Sequence, residues 1–205
     1  MDTNHNYQPI KTNCFEKIEL NKEDFIFVSK RPVEEFKTSL DRFEEIWKLH
    51  PNEFHDIKIH GKNLKTPRWQ QSYGKNYRYT GSVNNALPIP KILKIFHDWS
   101  IHNVDNNLNG LLLNWYDGSL GHYIGMHRDD IRDLKEGSPI VTISLGEERI
   151  FRFRPWKEKG FKDIVFQNDG VIVIPWLTNL KWTHEVPKFA RYQGKRISIT
   201  LRSYN

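Results

Sequence analysis

The chain has 205 residues, 31 Lys and Arg against 25 Asp and Glu for a net charge of +6, and a hydrophobic fraction of 38% that includes seven Trp, twelve Phe and eight Tyr. That length suits one domain, and the large rings bury enough area to build a core. No window approaches the roughly 18 apolar residues of a membrane-spanning helix, and the first twenty residues hold no apolar signal core, so neither a membrane nor secretion is expected. Cys14 is the only cysteine. It excludes an internal disulfide and a cysteine zinc site, and it points to a reducing intracellular compartment. A monomer is expected.

In chain order, residues 1–30 read as an N-terminal arm closed by a short apolar strand, Phe25 to Val28, and residues 31–205 as a single domain. Val33, Phe36, Leu40, Phe43 and Trp47 recur at helical spacing behind Pro32 and predict a helix from Pro32 to about Leu49. A stretch punctuated by glycine follows, read as short strands and loops. A second helix starts near Pro90, with Ile92, Leu93, Phe96 and Trp99 on one face. From about residue 108 to 203 the pattern becomes short strands rich in Val, Ile, Leu and Phe: Leu111–Tyr116, Pro139–Leu145, Ile150–Arg154, Ile164–Gln167, Gly170–Pro175 and Arg196–Leu201. So many strands in so short a span indicate a mainly β, α+β fold: a β-sandwich or jelly roll, with the two helices covering one sheet.

The excess charge is localised. Between Ile57 and His97 there is no acidic residue, while Lys58, Lys62, Lys65, Arg68, Lys75, Arg78, Lys91 and Lys94 supply eight positive charges, leaving 23 basic against 25 acidic residues elsewhere. Trp69, Tyr73, Tyr77 and Tyr79 are interleaved with them. Cations for phosphates and flat rings for bases are what a nucleic-acid face requires, although a solvated basic surface has the same composition.

In Tyr123-Ile-Gly-Met-His127-Arg-Asp129, strand alternation puts His127 and Asp129 on one face and His122 on the other. An imidazole and a carboxylate on one face supply two ligands for a divalent first-row metal. His184 is the downstream third, and the three would form a facial triad with open positions. His-x-Asp alone is a common surface turn. The last strand alternates strictly: Arg196, Ser198, Thr200 and Arg202 share one face, Ile197, Ile199 and Leu201 the other. Two arginines facing a core need anionic partners, and a dicarboxylate would satisfy both. An edge strand with its polar face in water would alternate equally well. Asn114 and Tyr116 share a face of a buried-looking strand and offer neutral hydrogen bonds to the same ligand.

Taken together, Asn114-Trp-Tyr116-x-Gly118, His127-Arg-Asp129-Asp130, Gly137-Ser-Pro-Ile140, Ser144-Leu-Gly146, Arg149-x-Phe151-x-Phe153-Arg154, His184-x-Val-Pro187 and Arg196…Arg202, in this order, closely resemble the AlkB family of iron(II)- and 2-oxoglutarate-dependent oxygenases. Upstream, Pro67-Arg-Trp-Gln70, Tyr73-Gly74 and Tyr77-Arg-Tyr79-x-Gly81 resemble the nucleotide-recognition lid of its nucleic-acid dealkylating branch, about residues 55–82. The resemblance implies a double-stranded β-helix holding Fe(II) on His127, Asp129 and His184. It implies 2-oxoglutarate held by Arg202 at the carboxylate beside iron and by Arg196, Asn114 and Tyr116 at the distal one, with Ser198 alongside. With O2, such an enzyme turns 2-oxoglutarate into succinate and CO2 and oxidises an N-alkyl group, which leaves as an aldehyde. A duplex base must be flipped out to be reached, at a cost of a few kcal/mol. Substrate contacts are expected from His60, Arg68, Trp69, Gln70, Tyr77, Tyr79, Arg128 and Asp130.

Three positions depart from the family pattern. His60 falls where duplex-repairing relatives carry an apolar finger. Ile131 follows Asp130 where some place a Glu near the base, and Ser198 stands where bacterial relatives often have Asn. The competing readings are an oxygenase of the same chemistry acting on a protein side chain or lipid, and a non-catalytic nucleic-acid binder on the same fold.

Overall fold

The computed structural model describes residues 7–59, 62–79 and 82–205. Strands β1 (Phe15–Glu19) and β2 (Phe25–Ser29) form a hairpin, followed by helix α1 (Leu40–Trp47). Two small hairpins, β3 (Asp56–Ile59) with β4 (Lys62–Lys65) and β6 (Tyr77–Tyr79) with β7 (Ser82–Asn84), flank β5 (Trp69–Tyr73). Helix α2 (Lys94–Asn103) leads into β8 (Gly110–Asp117), β9 (Ile124–His127), β10 (Ile140–Gly146), β11 (Arg149–Pro155), β12 (Lys162–Phe166) and β13 (Gly170–Ile174). Helix α3 (Trp176–Lys181), β14 (Trp182–Val186) and β15 (Lys195–Arg202) complete the order.

The strands assemble into a seven-stranded sheet, β1-β2-β13-β10-β15-β8-β5, and a four-stranded sheet, β12-β11-β14-β9. All their pairings are antiparallel. The two face each other as a jelly roll. Ile26, Tyr116 and Ile172 of the larger sheet meet Ile124, Phe151 and Phe153 of the smaller one between them. The other face of the larger sheet, with Leu111, Trp115, Ile143 and Ile199, packs on Phe43 and Ile46 of α1 and Phe96 and Trp99 of α2. The indole of Trp115 also donates to the carbonyl of Ile46 at 3.0 Å, pinning α1 to the sheet. The covering helices and the jelly roll are therefore as expected from the strand and helix patterns.

Strand β15 lies between β10 and β8, hydrogen-bonded on both sides. The edge-strand reading is thus excluded, and the polar row Arg196, Ser198, Thr200 and Arg202 faces the interior of the jelly roll. Two glycines make the turns around it possible. Gly146 sits at φ +87°, where an added Cβ would lie 2.5 Å from the Lys195 carbonyl. At Gly118 a Cβ would approach the Tyr192–Gln193 backbone to 2.7 Å.

Two expected boundaries change. The helix predicted over residues 32–49 is only α1. The Ser39 hydroxyl accepts the Arg42 N–H at 3.2 Å as an N-cap, and Lys37 at φ 21° is outside helical geometry. Val33 and Phe36 are buried all the same, because a turn closed by Phe36 N–H donating to Val33 C=O at 3.0 Å points both inward. The arm assigned to residues 1–30 is also revised. From Phe15 onward it forms the β1–β2 edge of the large sheet, with β2 paired to β13 at Val28↔Ile172 and Phe27↔Val173. Ile26, fully buried, belongs to the core as much as any jelly-roll residue. Ile26→Ala is expected to lower unfolding free energy by about 2–5 kcal/mol in urea titration, while Ile10→Ala at an exposed site changes it little. An Ile26→Ala cost as small as that of Ile10→Ala would mean that the segment is a detachable arm after all.

Candidate active site

The site lies at one rim of the jelly roll. β9 ends on His127, directly opposite His184 of β14 in the strand ladder, with the ring centroids 4.4 Å apart. His184 is stacked on Phe151 at 5.3 Å, which fixes its plane. Asp129 lies beyond the end of β9, so strand alternation does not place it. Asn179 of α3 does. Its side-chain oxygen accepts the Asp129 N–H at 3.0 Å and its NH2 donates to the Asp129 carbonyl at 3.1 Å. Arg202 then grips the carboxylate, Nε and Nη2 donating to Oδ2 at 3.0 and 2.8 Å. The other oxygen, Oδ1, is buried with no hydrogen-bond partner and lies 4.0 Å from His127 Nε2. One ligand atom from each of His127, Asp129 and His184 falls within 4.8 Å of the others, a group that could hold a metal ion.

The protonation states suit a metal. His127 Nδ1 faces the Gly125 carbonyl at 2.9 Å. A carbonyl only accepts, so Nδ1 carries the proton and Nε2 presents its lone pair. Burial lowers the pKa of His127, and burial followed by the neighbouring His127 pushes His184 down to about 3, so both rings are neutral at physiological pH. Burial opposes ionisation of Asp129, but Arg202 outweighs it and holds the carboxyl below the usual range.

Beside the cluster a cavity is lined by polar groups of the interior face, among them Arg68, Asn114, Tyr116, Ser198, Thr200 and Arg202, with Tyr77 at its side. Ladder register aligns them: Ser198 opposite Asn114 and Ser144, Arg196 opposite Tyr116. Arg196 is fully buried against the rings of Tyr116 and Phe166, at 5.1 and 5.3 Å. Its Nε donates to Ser144 Oγ at 2.9 Å, while Nη1 and Nη2 have no hydrogen-bond partner. Burial brings its pKa down to about 10, which still leaves it cationic. Arg202 Nη1 is likewise buried without a partner. Arg68 orders the neutral donors. Its Nε donates to Asn114 Oδ1 at 2.8 Å and its Nη2 to Gln70 Oε1 at 3.3 Å. Since arginine has only donors, the amide oxygens must face it, and the NH2 groups of both side chains point away from it.

The predicted substrate contacts are less uniform. Arg68 and Tyr77 line the cavity, with Tyr77 under the Arg202 guanidinium at 4.7 Å. Gln70 is buried below Arg68 and is not at the cavity wall. Trp69 is on the opposite face of β5, in register with Trp115 on the helix side. Its ring is stacked on His50 and Phe54 and edge-on to Trp47 and His122, so it is a packing residue and not a platform for a base. Arg128 points outward, its guanidinium on the ring of Trp156 and bonded to the Leu180 carbonyl. Asp130 is paired with Arg132. His60 lies outside the described residues, and of Tyr79 only the backbone is described.

The basic segment also divides. Lys62, Lys65, Lys75 and Arg78 are exposed around the two small hairpins, whereas Lys91 and Lys94 start the α2 layer on the far face of the large sheet, and Arg68 is buried. Asn179 was not read from sequence, and Ser144 was named only within a family motif, with no role. Neither carries a local signal, since each acts through a partner on a distant element.

Two measurements check this geometry. Asn179→Ala is expected to weaken Co(II) binding by about 10- to 100-fold, as loss of an outer-shell partner does, with the absorption spectrum of bound Co(II) as the readout; unchanged affinity would assign Asn179 to folding alone. Arg68→Ala is expected to free the Asn114 amide to rotate and to weaken binding of 2-oxoglutarate to the metal-loaded protein. Equal affinity in parent and variant, by calorimetry, would leave Arg68 no part in orienting Asn114.

A family model, the 2OG-Fe(II) oxygenase superfamily, matches residues 25–202. The DNA oxidative demethylase ALKBH2 of Mus musculus is 29% identical over 157 residues, which cover 71% of this chain and 65% of that protein. Its namesake from Arabidopsis thaliana is 25% identical over 202 residues, 82% of this chain and 62% of the relative. An alpha-ketoglutarate-dependent dioxygenase alkB homolog 3 of Rattus norvegicus is 26% identical over 151 residues, 67% of this chain and 50% of its own length. The matches thus span less than two thirds of each of these relatives. Among solved structures, that of OsALKBH1 aligns with a TM-score of 0.61 over 92% of this chain and 100% of that one at 17% identity, a likeness of fold. The chain belongs to the 2OG-Fe(II) oxygenase superfamily and, within it, to the AlkB family.

Proposed function

We propose that this chain is an iron(II)- and 2-oxoglutarate-dependent dioxygenase that removes alkyl groups from nucleic-acid bases. Buried polar atoms without partners carry this reading. A bare carboxylate oxygen on Asp129, beside two neutral imidazoles, calls for a cation, and bare guanidinium nitrogens on Arg202, which lines the cavity, and on Arg196, buried on the same face of β15, call for anions. A site needing one divalent metal and one dicarboxylate fits Fe(II) and 2-oxoglutarate. When bound, iron with 2-oxoglutarate and O2 supplies the oxidising chemistry, and the protein supplies orientation and a shaped cavity.

His127 Nε2, Asp129 Oδ1 and His184 would hold the metal. Arg202, already against Asp129, would bind the near carboxylate of the cosubstrate. Arg196 would bind the far one, with Asn114 and Tyr116 adding neutral contacts and Ser198 a hydroxyl. Arg68 orients Asn114, and Phe151 and Tyr77 line the cavity beside it. Nucleic acid as the substrate is supported by the names of the relatives, DNA oxidative demethylases, and by exposed Lys62, Lys65, Lys75 and Arg78 on and between the two small hairpins.

Succinate release should be measured with methylated and unmethylated oligonucleotides, DNA and RNA, single- and double-stranded. Methyl-dependent release, lost in Asp129→Ala, is expected; release that ignores the methyl group in every oligonucleotide would move the substrate to another class. Lys62→Ala or Lys75→Ala should each lower the salt slope of oligonucleotide binding by about 0.7 to 0.9, and Lys91→Ala or Lys94→Ala should not. Equal effects at all four positions would spread the nucleic-acid face around the helix layer.

A further inference from the structure

Resting on the nucleic-acid reading above, we propose that Trp156, held by Arg128, is a stacking subsite for an unpaired base flanking the one that enters the active site. Trp69 is committed to packing, so the part of a flat platform falls to a ring elsewhere on the rim. Trp156 follows β11 and keeps 41% of its surface in solvent, which for a tryptophan is a large apolar exposure. It is also fixed. Its backbone N–H donates to the Lys181 carbonyl at 2.8 Å, and the Arg128 guanidinium lies 4.2 Å from its ring centroid. Arg128 itself is anchored to the Leu180 carbonyl at the end of α3. A ring already immobilised loses little entropy when a second ring is laid on it.

Its position connects it to the metal cluster. Trp156 borders a cavity of about 440 Å³ whose wall includes His127, Asp129 and Asp130, with Met126, 56% exposed, beside them. His127 lines both this cavity and the cosubstrate cavity. The charge next to Trp156 is positive on balance, two lysines flanking exposed Glu158. Lys157 and Lys159, next along the chain, are exposed and form no ion pair among the described residues, whereas the neighbouring Arg152 and Arg154 are neutralised by Asp163 and Glu185. A flat ring, a cation behind it and two free lysines beside it are the components of a single-strand subsite, in which aromatic stacking is tolerant of base identity.

The test is anisotropy of a labelled single-stranded oligonucleotide carrying one methylated base, with an abasic residue placed in turn at each flanking position. In the parent protein one flanking position should be sensitive, losing about thirtyfold in affinity, the middle of the stacking range. Trp156→Ala should lose about as much with the intact strand and then be indifferent to the abasic residue at that position. Trp156→Phe should restore most of the affinity, and the salt slope should be the same in all three. Equal sensitivity to the abasic residue in parent and Trp156→Ala, parent-like affinity of Trp156→Ala, or no sensitive flanking position in the parent would each overturn the subsite while leaving the proposed function standing. Failure of the parent to bind any oligonucleotide would remove the proposed substrate class and the subsite together.

Discussion

A carboxylate buried to 4% exposure, with one oxygen paired and the other bare, is the constraint around which this site is built. Burial of such an ion costs several kcal/mol, and only a close counter-charge holds it ionised. Arg202 supplies that charge to Oδ2 of Asp129 and leaves Oδ1 buried without a hydrogen-bond partner. The pair also joins an interior strand of the large sheet to the loop leaving the small sheet, and Asn179 ties that loop to α3. Loss of either charge would leave the other stranded, at about 3–5 kcal/mol for a buried pair. The pair is therefore a latch between the sheets as well as a means of presenting a ligand oxygen beside two neutral histidines.

Around the latch, donor and acceptor chemistry sets the direction of every neutral group. Arg68 can only donate, so Asn114 and Gln70 must turn their oxygens toward it. His127 Nδ1 meets a carbonyl, so its other nitrogen is left free of a proton. Arg196 spends one donor on Ser144 and stands against the rings of Tyr116 and Phe166. What results is a set of buried guanidinium N–H groups and one bare carboxylate oxygen, all without hydrogen-bond partners. A dicarboxylate bound beside a divalent metal would complement both, and few other ligand pairs would.

Outside the cavity, packing and recognition compete for the same residue types. Rings and lysines were concentrated in one stretch of sequence, yet the fold sends Trp69 into a cluster with His50, Phe54 and Trp47 and places Lys91 and Lys94 on the helix layer. An aromatic ring on a strand that borders both the core and a lid goes wherever the strand's parity points it. For β5 that parity puts Trp69 with Trp115, and Gln70 with Asn114. Trp156 stays exposed at the rim because β11 has already ended and its neighbours are lysines and a glutamate.

The sequence by itself determined the mainly β architecture, the polar row of β15 with its two inward-facing arginines, and the three residues of the candidate metal cluster. Each is written in a local pattern: alternation along one strand, or residue types ordered as in a known family. It placed Asp129 with His127 by strand parity, which was the right residue by a route the fold does not use, since β9 stops at His127. Its helix over residues 32–49 merged a buried turn with α1, because a turn that points Val33 and Phe36 inward has the same spacing as a helix. Only the tertiary structure decided that β15 is an interior strand, that β1 and β2 belong to the sheet, that Asn179 holds Asp129, and that Arg68 points in while Trp69 packs on the helix side. Those outcomes depend on contacts between residues far apart in the chain, such as Asp129 with Asn179 and Arg202. A one-dimensional pattern records which face a residue takes relative to its neighbours, but not what stands opposite that face.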